Sequence, residues 1–177
     1  AFALTWETLP AYLARHLRCD IHPGLVMEQY RAWYPDVSPT EIMFKATTAG
    51  RSRRGQVEES DARARQGAPT WVYQFDLPAA EKARGAPHTI DIEHAFDNLN
   101  QSGAMSGTGA AARLVADQLS TAFINLARHG DPNHKGIPDW QKYALPLRQT
   151  LVFDAETTLQ NDPRRREREL FAKVPFI

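Results

Sequence analysis

Residues 69–98 read PTWVYQFDLPAAEKARGAPHTIDIEHAFDN, and the rest of the chain is organised around this segment. Its first part, residues 70–77, is rich in aromatic and β-branched side chains, a composition that predicts a buried β-strand. Because side chains alternate along a strand, its large apolar side chains share one face: Trp71, Tyr73, Phe75 and Leu77. Pro78 ends the strand, since proline cannot donate to a strand ladder.

A single histidine, His88, follows a polar loop that contains Gly85 and Pro87. Residues 91–96, directly after it, have the pattern of the first turns of a helix. Many α/β enzymes carry a general base on such a loop, because the sheet fixes the loop while the imidazole stays reachable. His88 is therefore a candidate catalytic residue, although a lone histidine is more often a structural one.

Three segments carry a resemblance to known proteins in one order along the chain. The first is GAPHTIDIEHAFDN at residues 85–98, preceded by WVYQFD; the second is FINLARHGDPN at residues 123–133, followed by Trp140 and Tyr143. The third is TLVFD at residues 150–154 with NDPR further on. Together they resemble the type-B carboxylesterases, the branch of the α/β-hydrolase superfamily that includes para-nitrobenzyl esterases and cholinesterases. The resemblance covers roughly the last two thirds of the chain.

The resemblance implies a fold of the α/β class. We expect the C-terminal part of an α/β-hydrolase fold, mainly helical, with strands at about residues 70–77 and 150–154 that belong to a larger sheet. Residues 150–154 are the only local partner strand that the sequence predicts. All 177 residues are expected to form one C-terminal region of a longer chain, because the sequence starts at Ala1 rather than at a methionine.

The resemblance also implies the chemistry. In this family the corresponding histidine takes the proton of a nucleophilic serine, so His88 is implied as the general base. Asp91 is implied as support for the loop or the helix start, and Thr89 and Ile92 as walls of a substrate pocket. None of the six serines lies in a G-x-S-x-G motif, so the nucleophile, the acid and the oxyanion hole are expected upstream of this chain.

Two functions follow as alternatives. The first is a contribution of the catalytic-histidine loop to a serine carboxylic-ester hydrolase, with this chain inactive when alone. The second is a non-catalytic interaction module, since some relatives of this family keep the fold for adhesion. An upstream G-x-S-x-G motif would favour the enzyme, whereas a substituted serine would favour the interaction module.

The charge and hydrophobicity of the chain argue against some classes of binding partner. The chain has 21 basic and 21 acidic residues that are interspersed, which argues against nucleic-acid binding and is compatible with a small carboxylic ester as substrate. No apolar run approaches the roughly 18 residues that a membrane span needs, so no membrane partner is expected. The chain is expected to be soluble, with the cytoplasm favoured. Its expected protein partner is the missing N-terminal portion or a second copy.

No metal or other cofactor is expected. Cys19 is the only cysteine, which excludes an internal disulfide and a multi-cysteine zinc site. His88 and His94 lie six residues apart, and His129 and His134 flank a turn, so neither pair has the spacing of a helical zinc pair.

The remaining sequence is mainly helical in pattern. Six further helices are predicted: from Thr5, from Pro23, from a capping box of Ser38 and Glu41, over residues 51–67 as a solvated helix, over residues 110–128 with Gly130 as its C-cap, and from residues 162–163.

Overall fold

The structure is a computed structural model that describes residues 3–81 and 85–177. Residues 1–2 and residues 82–84, which belong to the predicted polar loop after Pro78, lie outside the described residues. The chain divides into two compact units, Ala1–Glu59 with Arg164–Ile177 and Ser60–Pro163. The single C-terminal region expected from the sequence stays a prediction.

Helices and strands follow one another in a simple order. The helices are Leu9–His16 (α1), Pro23–Trp33 (α2), Pro39–Thr48 (α3), Arg54–Arg65 (α4), Ile90–Ala95 (α5), Ala110–His129 (α6) and Arg165–Phe171 (α7), and the strands are Tyr73–Phe75 (β1), Gln149–Phe153 (β2) and Thr158–Asn161 (β3). A short π-helical segment, Ala49–Arg53, joins α3 to α4. None of the described helices is long and apolar enough to cross a membrane.

The first unit is helical, and its helices begin close to the predicted positions. The capping box at the start of α3 is confirmed: the Ser38 hydroxyl accepts from the Glu41 amide at 3.3 Å, and the Glu41 carboxylate accepts from the Ser38 amide at 3.0 Å. Helix α1 begins at Leu9 and not at Thr5, because Thr5 and Thr8 form a hydrogen-bonded turn before it. The core of this unit is contributed by side chains from four helices, among them Leu13, Val26, Ile42 and Phe171.

The second unit contains a three-stranded sheet in the order β1-β2-β3. Strand β1 is parallel to β2, with Tyr73 opposite Leu151, and β2 is antiparallel to β3. All five residues of β2 are buried. The predicted apolar face of residues 71–77 is confirmed, since its four side chains join one core cluster with α6 and the central strand.

The strands differ from the sequence prediction in two respects. Strand β1 is shorter than residues 70–77 because the amides of Asp76 and Leu77 both donate to the Phe153 carbonyl, at 2.8 and 3.1 Å, so the regular ladder ends there. The expectation that residues 150–154 are the only local partner strand was wrong. Strand β3 also pairs with β2, and its half-exposed, polar sequence TLQN lacks the apolar pattern that identified the other strands.

The two remaining helical predictions are confirmed with small changes. Helix α6 runs to His129 and is terminated by Gly130, which adopts the left-handed conformation expected of a C-cap. Helix α4 is mostly solvated, but Asp61 on it is buried. The carboxylate of Asp61 accepts from the Tyr143 hydroxyl at 2.7 Å and from the Arg148 guanidinium at 2.8 and 3.1 Å.

Candidate functional site

His88 lies between the end of β1 and the start of α5, and it is exposed to solvent. The loop before it is closed by a hydrogen bond from the Ala79 amide to the Gly85 carbonyl at 2.8 Å. After it, the Ile90 amide donates to the Pro87 carbonyl at 3.2 Å, which begins the turn into α5. None of the residues described in the structure forms a hydrogen bond with the His88 imidazole.

Thr89 follows His88 in an unusual backbone conformation, with φ of 75° and ψ of −1°. A β-branched residue rarely adopts this left-handed region, because its Cβ crowds the backbone. Its carbonyl accepts from the Ile92 amide at 3.1 Å, so the turn is fixed from both sides. The side chain of Thr89 is exposed next to His88, which is compatible with the pocket wall expected for it.

Asp91, the residue expected to support the loop, is half-buried on α5. The hydroxyl of Tyr73 on β1 donates to its carboxylate at 2.7 Å. Burial raises the pKa of Tyr73, and the hydrogen bond to the Asp91 carboxylate raises it further, so the phenol keeps its proton. This bond attaches the helix that follows His88 to the strand that precedes it. Tyr73 was expected from the sequence only as a core residue.

Ile92 and Phe96 form an apolar face on the outer side of the α5 turn. They are four residues apart, so they lie on one side of the helix, and they are 49% and 75% exposed. The structure thus leaves two large apolar side chains open at the surface next to the His88 turn. Ile92 was expected in a substrate pocket, and Phe96 was not singled out.

The inner face of α5 holds two polar side chains, Glu93 and His94, that the sequence analysis did not assign to the site. His94 is fully buried, and its ring lies 4.7 Å from that of Phe75. Because a carbonyl only accepts, the His94 Nδ1–H must donate to the Ile90 carbonyl, at 3.1 Å. The Nε2 atom of His94 is buried and has no hydrogen-bond partner among residues 3–81 and 85–177. Burial lowers the pKa of His94, so the ring is neutral at neutral pH.

A helical pattern could have identified this inner face. Ile90, Glu93 and His94 are spaced as i, i+3 and i+4, the spacing of a buried helix face, but two of the three residues are polar. Periodicity indicates a buried face through its apolar side chains, and this face has only one, Ile90. Its polar groups are buried because hydrogen bonds from the neighbouring loop satisfy Glu93.

Metal ligation has no support among residues 3–81 and 85–177, where no group of three His, Cys, Asp or Glu side chains could hold an ion. His94 uses Nδ1 within its own helix. His134 uses both ring nitrogens, since Nε2–H donates to the Gln118 carbonyl at 3.0 Å and Nδ1 accepts from the Gly136 amide at 3.1 Å. These contacts assign both histidines to structural roles.

The chain is similar to esterases and other hydrolases in three comparisons, with a family model, with curated sequences and with solved structures. A family model described as "Carboxylesterase family" matches residues 37–171. The para-nitrobenzyl esterase of Bacillus subtilis (strain 168) is 29% identical over 105 residues, which are 58% of this chain. The phenmedipham hydrolase of Pseudarthrobacter oxydans is 33% identical over 94 residues, or 50% of this chain. The solved structure of carboxylesterase EST55 from Geobacillus stearothermophilus covers 94% of this chain with 26% sequence identity and a TM-score of 0.70.

These relatives are much longer than the chain. The chain spans 21% of the length of the Bacillus protein, 19% of the Pseudarthrobacter protein and 33% of the Geobacillus structure. Each likeness therefore concerns one portion of a larger protein.

Proposed function

The chain belongs to the carboxylesterase family, and from this membership we propose that it supplies the catalytic-histidine loop of a serine carboxylic-ester hydrolase. The matched residues 37–171 include His88. The part of the α/β-hydrolase fold that was predicted from the sequence is confirmed by likeness to solved esterases. The observation that carries the proposal is the exposed His88 ring on a turn that is fixed between β1 and α5.

His88 acts as a general base and then as a general acid. It takes the proton from the serine Oγ as that oxygen attacks the ester carbonyl, and it gives the proton to the alcohol oxygen as the ester bond breaks. In the second half it takes a proton from water, which attacks the acyl-enzyme, and returns it to the serine Oγ. An exposed imidazole without partners among the described residues can make the two contacts that this cycle needs, one to the serine and one to the acid.

The serine, the acid and the oxyanion hole are proposed to lie in sequence that precedes this chain in the intact protein. The six serines of the chain lie outside any G-x-S-x-G motif, the strained turn that presents the nucleophile in α/β hydrolases. Without a nucleophile and an oxyanion hole the acyl-enzyme cannot form. The chain alone is therefore proposed to be inactive.

Three neighbours of His88 have supporting roles in this proposal. Asp91 holds the helix start through its 2.7 Å hydrogen bond from Tyr73, so it is proposed to support the loop and not to transfer a proton. Thr89 and Ile92 are proposed as pocket walls, since both side chains are exposed and lie within four residues of His88. The substrate is proposed to be a small carboxylic ester without strong charge, which agrees with the zero net charge of the chain. Its protein partner is proposed to be the N-terminal portion of the intact protein or a second copy.

His88→Ala in the intact protein tests the proposal. The substitution should lower kcat by several orders of magnitude, because the members of a catalytic triad act as a unit. His129→Ala is a matched control, since His129 is an exposed histidine at the end of α6. Retention of more than about a tenth of kcat in His88→Ala would exclude His88 as the base.

A second measurement uses the chain alone. It should not hydrolyse p-nitrophenyl esters above the rate of a blank, and a fluorophosphonate should not label it. Stoichiometric labelling together with turnover would overturn the proposal that the nucleophile lies elsewhere. An intact protein without a serine at the nucleophile position would instead favour the non-catalytic interaction module.

A further inference from the structure

Glu93 is a buried carboxylate on α5, five residues after His88, and its side chain is held by the loop that follows the helix. It is 8% exposed. The Met105 amide donates to it at 2.8 and 3.1 Å, and the Ser106 amide donates at 2.7 Å. The Ser106 hydroxyl donates to the same carboxylate. A carboxylate removed from water in this way is stabilised only when several donors surround it.

The same loop is attached to the segment that precedes His88. The Met105 carbonyl accepts from the Ala80 amide at 2.8 Å. Next to this bond, Gly107 has φ of 68°, and a Cβ atom at Gly107 would lie 3.3 Å from the Cβ of Ala80. The two backbones therefore approach each other more closely than most side chains would permit.

The contacts form a closed path around His88. The Glu93 carboxylate accepts hydrogen bonds from residues 105–106, and the Met105 carbonyl accepts one from the Ala80 amide. The amide of the adjacent Ala79 donates to the Gly85 carbonyl. Gly85 lies three residues before His88, and Glu93 lies five residues after it. A hydrogen bond from the Asn98 amide to the Glu93 carbonyl at 2.9 Å fixes the start of the returning loop. The backbone on both sides of His88 is thus connected through one carboxylate.

We infer that Glu93 is a positioning residue for His88, which fixes the direction of the imidazole by joining the chain before it to the chain after it. Glu93 is on the buried face of α5 and contacts no substrate in this assignment. The inference rests on the proposed function, because a direction of the ring matters only if His88 transfers protons. A displacement of a catalytic group by about 1 Å typically lowers the rate by about a hundredfold.

A purely structural role for Glu93 and the positioning role differ in their measurable effects. If Glu93 only stabilised the loop, its substitution would lower the folded fraction without changing kcat of the molecules that remain folded. If it positioned His88, kcat would fall in fully folded protein, while KM would change little because substrate contacts are intact. The pH dependence of kcat would also change, because a displaced imidazole would make different contacts in the intact site.

Glu93→Gln in the intact protein is the principal test, measured well below its unfolding temperature. Gln keeps the shape but places an NH₂ group against amide donors, so one acceptor is lost. We expect kcat to fall by roughly tenfold to a hundredfold, with KM within about twofold of wild type and a shifted pH profile. Glu93→Asp keeps the charge and should recover part of the lost kcat. Glu156→Gln, at an exposed position in the β2–β3 turn, is the matched control and should have no effect.

Ser106→Ala keeps the inference testable if Glu93→Gln does not fold. It removes one of the donors to Glu93 and should lower kcat by a smaller factor, again with KM unchanged. Wild-type kcat in folded Glu93→Gln or Ser106→Ala, with His88→Ala inactive, would overturn the positioning role and leave the proposed function standing. High activity in His88→Ala would overturn both.

Discussion

The hydroxyl of Tyr73 donates to the carboxylate of Asp91 at 2.7 Å, joining strand β1 to helix α5 across 18 residues of sequence. Tyr73 also makes edge contacts with the rings of Phe123, Trp140 and Phe153, so its hydroxyl has little freedom to move. The position of α5, and with it the direction in which the chain leaves His88, is therefore set by a side chain of the sheet.

Tyr73→Phe should lower the free energy of unfolding by about 1 kcal/mol, because the ring packing remains while one hydrogen bond to a half-buried carboxylate is lost. Chemical denaturation with the mutant and wild type measures this change. Tyr12→Phe is a control, since the Tyr12 ring stacks on His16 and its hydroxyl has no hydrogen bond within the described part of the chain. Equal midpoints for Tyr73→Phe and wild type would show that water replaces the lost bond.

His94 should make the stability of the protein depend on pH below about 7. Its folded-state pKa lies below the ordinary value of 6.5 because of burial, although Glu93 and Asp91 act in the opposite direction. The neutral His94 ring therefore makes its full contribution to the free energy of unfolding above pH 6.5. This contribution is lost as the pH falls from 6.5 towards the folded-state pKa, because the unfolded chain binds the proton more readily.

His94→Phe removes this titration while keeping an aromatic ring beside Phe75. The unfolding temperature of the wild type should fall more steeply than that of the mutant when the pH is lowered from about 7 to 5. The exposed His129 serves as the control position, through His129→Phe. Parallel curves for wild type and His94→Phe would contradict the assignment of a lowered pKa.

Removal of the Asp61 charge should lower the folding stability of the second unit strongly. Burial raises the pKa of its carboxyl, but hydrogen bonds from Arg148 and Tyr143 outweigh burial and hold the pKa below its usual 3.8. Asp61→Asn removes the carboxylate that binds the Arg148 guanidinium and should cost about 3 kcal/mol of stability at pH 7. Arg65→Met, which removes a 64%-exposed partner of Asp61, should cost less than about 0.5 kcal/mol in the same denaturation experiment.

The difference between Asp61→Asn and wild type should also depend on pH. The contribution of the ionised Asp61 is present above its unfolded-state pKa and is lost as the pH falls through the lower folded-state pKa. The stability gap should therefore narrow below about pH 4. A gap that stays constant to pH 2 would show that the charge of Asp61 is not the source of the stability.

The chain by itself should self-associate or bind the N-terminal portion of the intact protein. In the described part of the chain, β1 pairs with β2 only, so its other edge is open for a further strand. The second unit also exposes large apolar side chains at 39–75%: Ile92, Phe96, Leu114, Phe123, Ile124 and Leu126. Sedimentation velocity at micromolar concentration should detect dimers or larger species. A compact monomer that binds no hydrophobic dye would contradict this expectation.

The elements that the sequence predicted well are those with local signals. The spacing of Ser38 and Glu41 was enough to predict the capping box. Gly130 was enough to predict the end of α6, because the left-handed C-cap conformation favours glycine. Strand β1 lay within the predicted segment because its aromatic residues alternate with smaller ones. His88 was found by its place after that strand together with the motif around it, and its catalytic role stays a prediction.

The features that the sequence did not predict depend on partners distant along the chain. Strand β3 has a polar sequence and forms because β2 offers it a backbone ladder. Glu93 and His94 are buried because residues 105–106 and the ring of Phe75 lie against α5. Likewise, the buried Asp61 on a helix of solvated composition depends on Arg148, 87 residues away. Periodicity within one segment contains no information on such partners.

The left-handed backbone at Thr89 has a consequence for the directed evolution of this protein. A threonine at φ of 75° carries a strain of about 1 kcal/mol that glycine or asparagine would relieve. Selection for heat resistance alone should therefore accumulate glycine or asparagine at position 89. Selection for turnover should favour the stiffer threonine, which limits the backbone beside His88 to one conformation. Position 89 is thus a place where two selection pressures on the same fold are expected to choose different amino acids.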